Sequence, residues 1–418
     1  MLLAIIKETI SNLLLDDLIE DLENIKNISI FPQHNIIPDA NFVFAIFDGG
    51  LYVKPMKHSS METRGSFARL SLYILTKKYN IPNCFAGLVG VHTDTPPHKG
   101  SSNALFSFSR LSGSKYPPLL FPDYDFFGFP DVWIPPYDLV VSDYARTDIP
   151  WEKKKNIAYW SGSPTGTSRI AAIKCSESFR STVQFDVVAW RNGSKSTDQE
   201  RSVLTAALEK YSTIITNPPE KRAYKPKVFD LRKMQEFKYN VYLQGNGWSS
   251  SLKRLVASGS ALIMPTPNMW EDLVSRLLIK NNLVIPVQHN NEWDDLCLHI
   301  NNLINDTDST KHIGSGNDAH AYALTQSLKN IAREELNMHN ILEYIYTALS
   351  GLAKKQDVSK MSEATLMANG YYKYKCKDIM FDILTKGGLN WQSELWYNSK
   401  NCMPRADHSG DYLQYTYL

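Results

Sequence analysis

Between residues 157 and 287 the chain alternates short apolar runs with helix-like stretches. NIAYWSGS reads as a strand ending in a Gly/Ser turn, TSRIAAIKCSES as a helix, VQFDVVAW as a strand and DQERSVLTAALEKY as a helix. FKYNVYLQG, SALIMP and NLVIPV read as further strands, with WSSSLKRLVASG and MWEDLVSRLL as the helices between them. Parallel neighbours need a long crossover, usually a helix, so this rhythm predicts a parallel sheet with helices on both faces. Upstream, NFVFAIFDGG and FAGLVGVHTD read as strands and GSFARLSLYILTKKY as the helix between them. The stretch 116–137, YPPLLFPDYDFFGFPDVWIPPY, is too rich in proline for a helix or a central strand. Such aromatic loops line a binding cleft or pack as plain surface. Residues 315–355 read as helices, and no role is assigned to the Tyr- and Lys-rich tail. The predicted organisation is α/β, with an N-terminal domain over 1–150, a second over 151–355 and an extension over 356–418.

A length of 418 residues is enough for two domains. A formal charge of +2 argues against a nucleic-acid partner, and the basic run WEKKKN at 151–156 reads as solvated surface. The five cysteines, Cys84, Cys175, Cys297, Cys376 and Cys402, are scattered without C-x-x-C spacing, which predicts reduced thiols. The N-terminus reads as an amphipathic helix, not a signal peptide, and no apolar run is long enough for a membrane span. The expected location is therefore the cytoplasm, and the sequons at Asn27, Asn192 and Asn305 read as chance.

Two strand-to-helix junctions carry the chemistry. One is LQGNGWSSSLKRLVASGSALI at 243–263, and the other is AYWSGSPTGTSR at 158–169. Glycines allow close backbone approach, and a helix start offers N–H groups to an anion. The plain alternative is a tight turn whose serines cap backbone donors. Two hydroxyl- and glycine-rich junctions at strand ends of one parallel sheet favour a phosphate ligand.

PWEKKKNIAYWSGSPTGTSR, then FKYNVYLQGNGWSSSLKRLVASGSALI, then MWEDLVSRLLIKNNLVIPV, together resemble glycosyltransferase family 90 over roughly 85–350. That family includes protein O-glucosyltransferases, capsule xylosyltransferases and microbial and viral enzymes. The resemblance implies a GT-B fold of two Rossmann-like domains facing a central cleft, with C-terminal helices. It implies a UDP-sugar donor (xylose or glucose), inverting transfer to a glycan or glycoprotein acceptor, and no metal or other cofactor. The first domain would hold the acceptor and the second the nucleotide sugar.

Asp94, in GLVGVHTDTPPH, corresponds to the family's general base. Its plain reading is a turn residue before Pro96 and Pro97. A metal set of His92, Asp94 and His98 has no recognised spacing. Ser163 and Arg169 correspond to the Ser and Arg that contact the nucleotide diphosphate, where the forked guanidinium suits phosphate. Asn246, Gly247, Trp248, Ser249, Ser250 and Ser251 form the corresponding turn, and Tyr137 falls near a donor-contacting Tyr. Ser161 and Ser251 stand where the family usually has basic residues, and Gln244-Gly245 where Asp-Gly is common. Arg254, three positions after Ser251, is the expected substitute, with a solvated helix surface as its plain reading. The rival readings are a degenerate member that binds without transfer, and another two-domain α/β enzyme, for which the G-x-G-x-x-G fingerprint is lacking.

Overall fold

A computed structural model describes residues 12–25, 42–55, 62–89, 105–114, 117–128, 134–162, 167–187, 230–245, 247–290, 292–305 and 318–375. The chain divides into two compact units. The first comprises residues 1–140, 269–277 and 333–415, and the second residues 141–268, 278–332 and 416–418.

The first unit is built on a six-stranded sheet of order β13-β2-β1-β3-β4-β6. Its strands are β1 (Phe42–Phe47), β2 (Gly50–Pro55), β3 (Cys84–Val89), β4 (Leu105–Ser107), β6 (Leu119–Leu120) and β13 (Tyr372–Lys373). β1 and β2 form a hairpin closed by Asp48 and Gly49, both at positive φ. Asp-Gly favours that two-residue turn, which forces antiparallel pairing. β3 also runs antiparallel to β1, while β4 and β6 continue parallel to it. This sheet is therefore mixed, unlike the parallel sheet expected of a Rossmann-like domain. A second ladder pairs β5 (Ser109–Leu111) with β11 (Trp270–Asp272). MWEDLVSRLL, read from sequence as one helix, thus begins as strand, because its partner lies far away in sequence. The helices of this region are α1 (Asn12–Glu23), α2 (Glu62–Lys78), α3 (Tyr137–Arg146), α6 (Leu273–Lys280), α9 (Met338–Ala353) and α10 (Glu363–Ala368), of which α3 and α6 run on into the second unit. The start of the tail has a place here, since β13 lengthens the sheet and Leu366 and Tyr371 join its core.

The buried Arg110 meets Asp21 at 2.9 Å and Glu271 at 3.4 Å, and Arg276 meets Asp21 at 2.6 Å, Glu271 at 3.1 Å and Asp17 at 3.3 Å. Burial lowers the Arg110 pKa, but Asp21 and Glu271 outweigh it and hold the guanidinium above its ordinary value.

The second unit contains a five-stranded sheet of order β12-β10-β9-β7-β8. Its strands are β7 (Lys155–Gly162), β8 (Val183–Val187), β9 (Phe237–Val241), β10 (Ala261–Thr266) and β12 (Ile285–Gln288), and every neighbouring pair is parallel. The helices are α4 (Thr167–Ser176), α5 (Leu252–Ala257), α7 (Leu296–Asn305) and α8 (Asp318–Asn330). Ala158 and Trp160 of β7 join Ala172 and Ile173 of α4 and Leu296 and Ile300 of α7 in one apolar core. Read by order of appearance, the sheet runs 2-1-3-4-5, so the chain reverses its direction of travel between β7 and β9. Ligands of such sheets bind at the carboxyl ends of the strands flanking that reversal.

Two sequence expectations are corrected here. Cys175 of α4 and Cys297 of α7 form a disulfide with Cα atoms 5.7 Å apart, so these thiols are not reduced. Helix packing brings together residues separated by 122 positions, which sequence spacing does not reveal. Cys84 is a buried free thiol whose pKa burial raises to about 12, while Cys376 and Cys402 lie outside the described residues. The run WEKKKN is not uniformly solvated either. Lys154 is buried and donates to the Gln235 carbonyl at 2.5 Å. Burial pulls its ammonium down to about 8, with nearby Lys329 adding to the effect and Asp148 opposing it. Among the described residues no helix is long and apolar enough to cross a membrane.

Candidate active site

β7 and β9 are adjacent and parallel, with Tyr159 opposite Asn240. Their carboxyl ends therefore lie side by side, and each leads into one of the two junctions singled out in the sequence. α4 follows β7 and carries Arg169 in its first turn. The Arg169 Nη2 donates to the Leu243 carbonyl at 2.9 Å and to Ser249 Oγ at 3.0 Å, and its Nε reaches the same carbonyl at 3.3 Å. Residues 80 apart in sequence thus share one hydrogen-bonded cluster.

Three further groups build this cluster. The Arg169 guanidinium lies over the Trp160 ring, 5.5 Å from its centroid. Gly162 makes room for that ring, since a Cβ there would sit 2.5 Å from Trp160 Cζ2. The Tyr242 hydroxyl accepts a hydrogen bond from the Ser249 amide at 3.1 Å. Trp160 and Tyr242 were missed in the sequence reading. Strand alternation puts Trp160 and Gly162 on one face, which is the signal that would have found the first. Nothing in the spacing points to the second.

The serines of the β9–α5 junction do not cap the helix in the usual way. Ser251 is the N-cap residue of α5, yet its side chain makes no capping hydrogen bond. Its hydroxyl lies 2.9 Å from Ser249 Oγ instead. The Ser250 carbonyl accepts from Lys253 Nζ at 3.0 Å. The reading that these serines merely satisfy backbone donors therefore fails for Ser251. α5 has only six residues, so the grouped hydroxyls and guanidinium, not a long helix dipole, give this end its chemistry.

The remaining candidates fall as follows. Gly247 and Trp248 are buried in the turn before Ser249. Arg254 is 3 % exposed, so its reading as a solvated surface residue is overturned. Tyr137 begins α3 in the first unit and packs edge-on to Phe126 with ring centroids 5.4 Å apart. Asp94, Ser163 and Asn246, together with His92 and His98 of the alternative metal set, lie outside the described residues. Ser107 and Ser109, at the end of β4 and the start of β5, are fully buried in the first unit.

Arginine, hydroxyls and a glycine-rich turn at the reversal point of a parallel sheet can hold an anionic phosphate group. Guanidinium supplies paired charged donors and serines supply directional ones. Against this geometry, the model of one family, described as glycosyl transferase family 90, matches residues 16–369. A search among curated proteins finds no match.

Proposed function

The chain belongs to glycosyltransferase family 90, and from that premise we propose an inverting, metal-independent transfer of xylose or glucose from a UDP-sugar to a hydroxyl of a glycan or protein acceptor. The observation that carries the donor side is the meeting of Arg169 and Ser249 at the strand tips flanking the sheet reversal. Leu243 and Trp160 orient the guanidinium, so little rearrangement is needed to present it to a diphosphate. Ser163, Asn246, Gly247, Trp248, Ser250 and Ser251 complete the proposed cradle, with Arg254 the proposed substitute for the basic residue that Ser251 replaces. The two units serve as the two lobes of a GT-B enzyme in this reading.

Asp94 is the proposed base. Its carboxylate takes the proton of the acceptor hydroxyl, and that oxygen attacks the anomeric carbon. The bond from that carbon to the β-phosphate oxygen breaks, and UDP leaves with the electron pair. Arg169 and the serine hydroxyls stabilise the charge that develops on the leaving group.

The test is donor hydrolysis and transfer with a panel of UDP-sugars. Asp94→Asn is expected to lower turnover by about 10²–10⁴-fold while UDP affinity stays within about two-fold. Unchanged transfer by Asp94→Asn rules out the base assignment. A second reading, binding without transfer, has one observation in its favour: Ser251 brings a hydroxyl, not a charge, to the cluster. UDP binding with no turnover of any donor selects that reading.

A further inference from the structure

The Cys175–Cys297 bond is the one covalent cross-link among the described residues, and it plays no part in the proposed transfer. It ties α4 to α7 across 122 positions of chain. α4 is ten residues long, or about 15 Å, with Arg169 in its first turn and Cys175 in its last. The loop that the bond closes runs through β8, β9, α5, β10 and β12, so it contains Leu243 and Ser249, the two hydrogen-bond acceptors of Arg169. One half of the proposed diphosphate cluster thus lies inside the cross-linked loop. The other half rides on the helix at the root of that loop.

The two sulfurs are not equally placed. Cys297 is fully buried, whereas Cys175 is only partly so. A small thiol from solvent therefore meets Cys175 first. In a buffer of the glutathione class, a thiolate attacks the Cys175 sulfur and the bond to Cys297 breaks. Cys297 leaves with the electron pair and takes up a proton. A second small thiol then releases Cys175, and the two electrons come from oxidation of the two small thiols to their own disulfide. Two separate thiols need more room than two bonded sulfurs. In the same core Ala172, Ile173, Leu296 and Ile300 are each no more than 1 % exposed, and a close-packed interior takes up extra volume only by shifting its parts. The parts that meet at this bond are α4 and α7, and α4 carries Arg169.

We propose that the Cys175–Cys297 pair is a redox switch on the donor site, in which the disulfide holds Arg169 in its binding position and the dithiol releases it. The inference rests on the nucleotide-sugar reading above. It is tested by UDP titration of the full chain in oxidised and reduced glutathione buffers. Peptide mapping after alkylation reports the state of the two cysteines, and melting curves are run in parallel. Reduction should weaken UDP by about ten-fold, within the usual range of coupling between two sites. By reciprocity, saturating UDP should make the pair harder to reduce by the same factor, which moves its midpoint by about 30 mV to lower potential. Cys175→Ser should bind UDP as the reduced wild type does and ignore the redox buffer. A plain staple would also lower the melting temperature on reduction, but it would leave UDP affinity and the midpoint unmoved, and that result overturns the switch. Both thiols free in the most oxidising buffer, or a reduced form with no melting transition, overturns it too. UDP bound in neither state sinks the nucleotide-sugar reading itself, and the switch with it.

Discussion

Among the described residues, α5 and α10 both start at a serine, and the two serines do different things. Ser362 begins α10 with a capping box: its hydroxyl accepts from the Thr365 amide at 3.1 Å, and the Thr365 hydroxyl accepts from the Ser362 amide at 2.8 Å. Ser251 begins α5 without a side-chain cap, and its hydroxyl meets Ser249 instead. Later serines of the same stretch side with Ser362. Ser258 Oγ donates to the Leu255 carbonyl at 2.6 Å, and Ser260 Oγ to the Phe237 carbonyl at 2.6 Å. Hydroxyls that stabilise a fold are committed to backbone. The pair at 249 and 251 is grouped with an arginine, in the arrangement that anion binding requires.

The contrast can be broken first at its support. In Gly162→Ala the new methyl meets the ring of Trp160, which is 3 % exposed and has little room to move. The expected cost is about 1–3 kcal/mol of stability from overpacking. UDP affinity should fall with it, because Trp160 underlies Arg169. A melting curve and a UDP titration check both, and unchanged affinity would show that the indole does not position the guanidinium. Ser362→Ala should cost about 1 kcal/mol in denaturant unfolding through the lost cap and leave UDP binding untouched. Ser251→Ala should do the opposite, weakening UDP by a few-fold with a change in stability below about 0.5 kcal/mol. If Ser251→Ala destabilises the chain as Ser362→Ala does, the two serines are alike and the comparison collapses.

Much of the second unit was legible because its signal is local. Apolar runs such as SALIMP alternate with helical stretches, and the five parallel strands fall where that alternation puts them. Arg169 and the serine turn were legible as candidates for the same reason, since each sits where a strand gives way to a helix. What escaped depends on partners distant in the chain. β11 is strand only because β5 lies beside it, and β13 only because β2 does. The Cys175–Cys297 bond depends on α4 packing against α7, and the burial of Lys154 on Gln235, 81 positions away. Tyr242 escaped for another reason: its partner, the Ser249 amide, is close in sequence, but an apolar strand end gives no hint that its hydroxyl turns to meet it.

The central claim is that Arg169 and Ser249 bind one diphosphate together. Its most direct test is a double-mutant cycle for UDP affinity, measured by calorimetry on the wild type, Arg169→Ala, Ser249→Ala and the double variant. The account predicts that Arg169→Ala weakens UDP by about 10²-fold and that the two losses are non-additive by about 1 kcal/mol. UDP affinity unchanged in Arg169→Ala, or strictly additive losses, would contradict it.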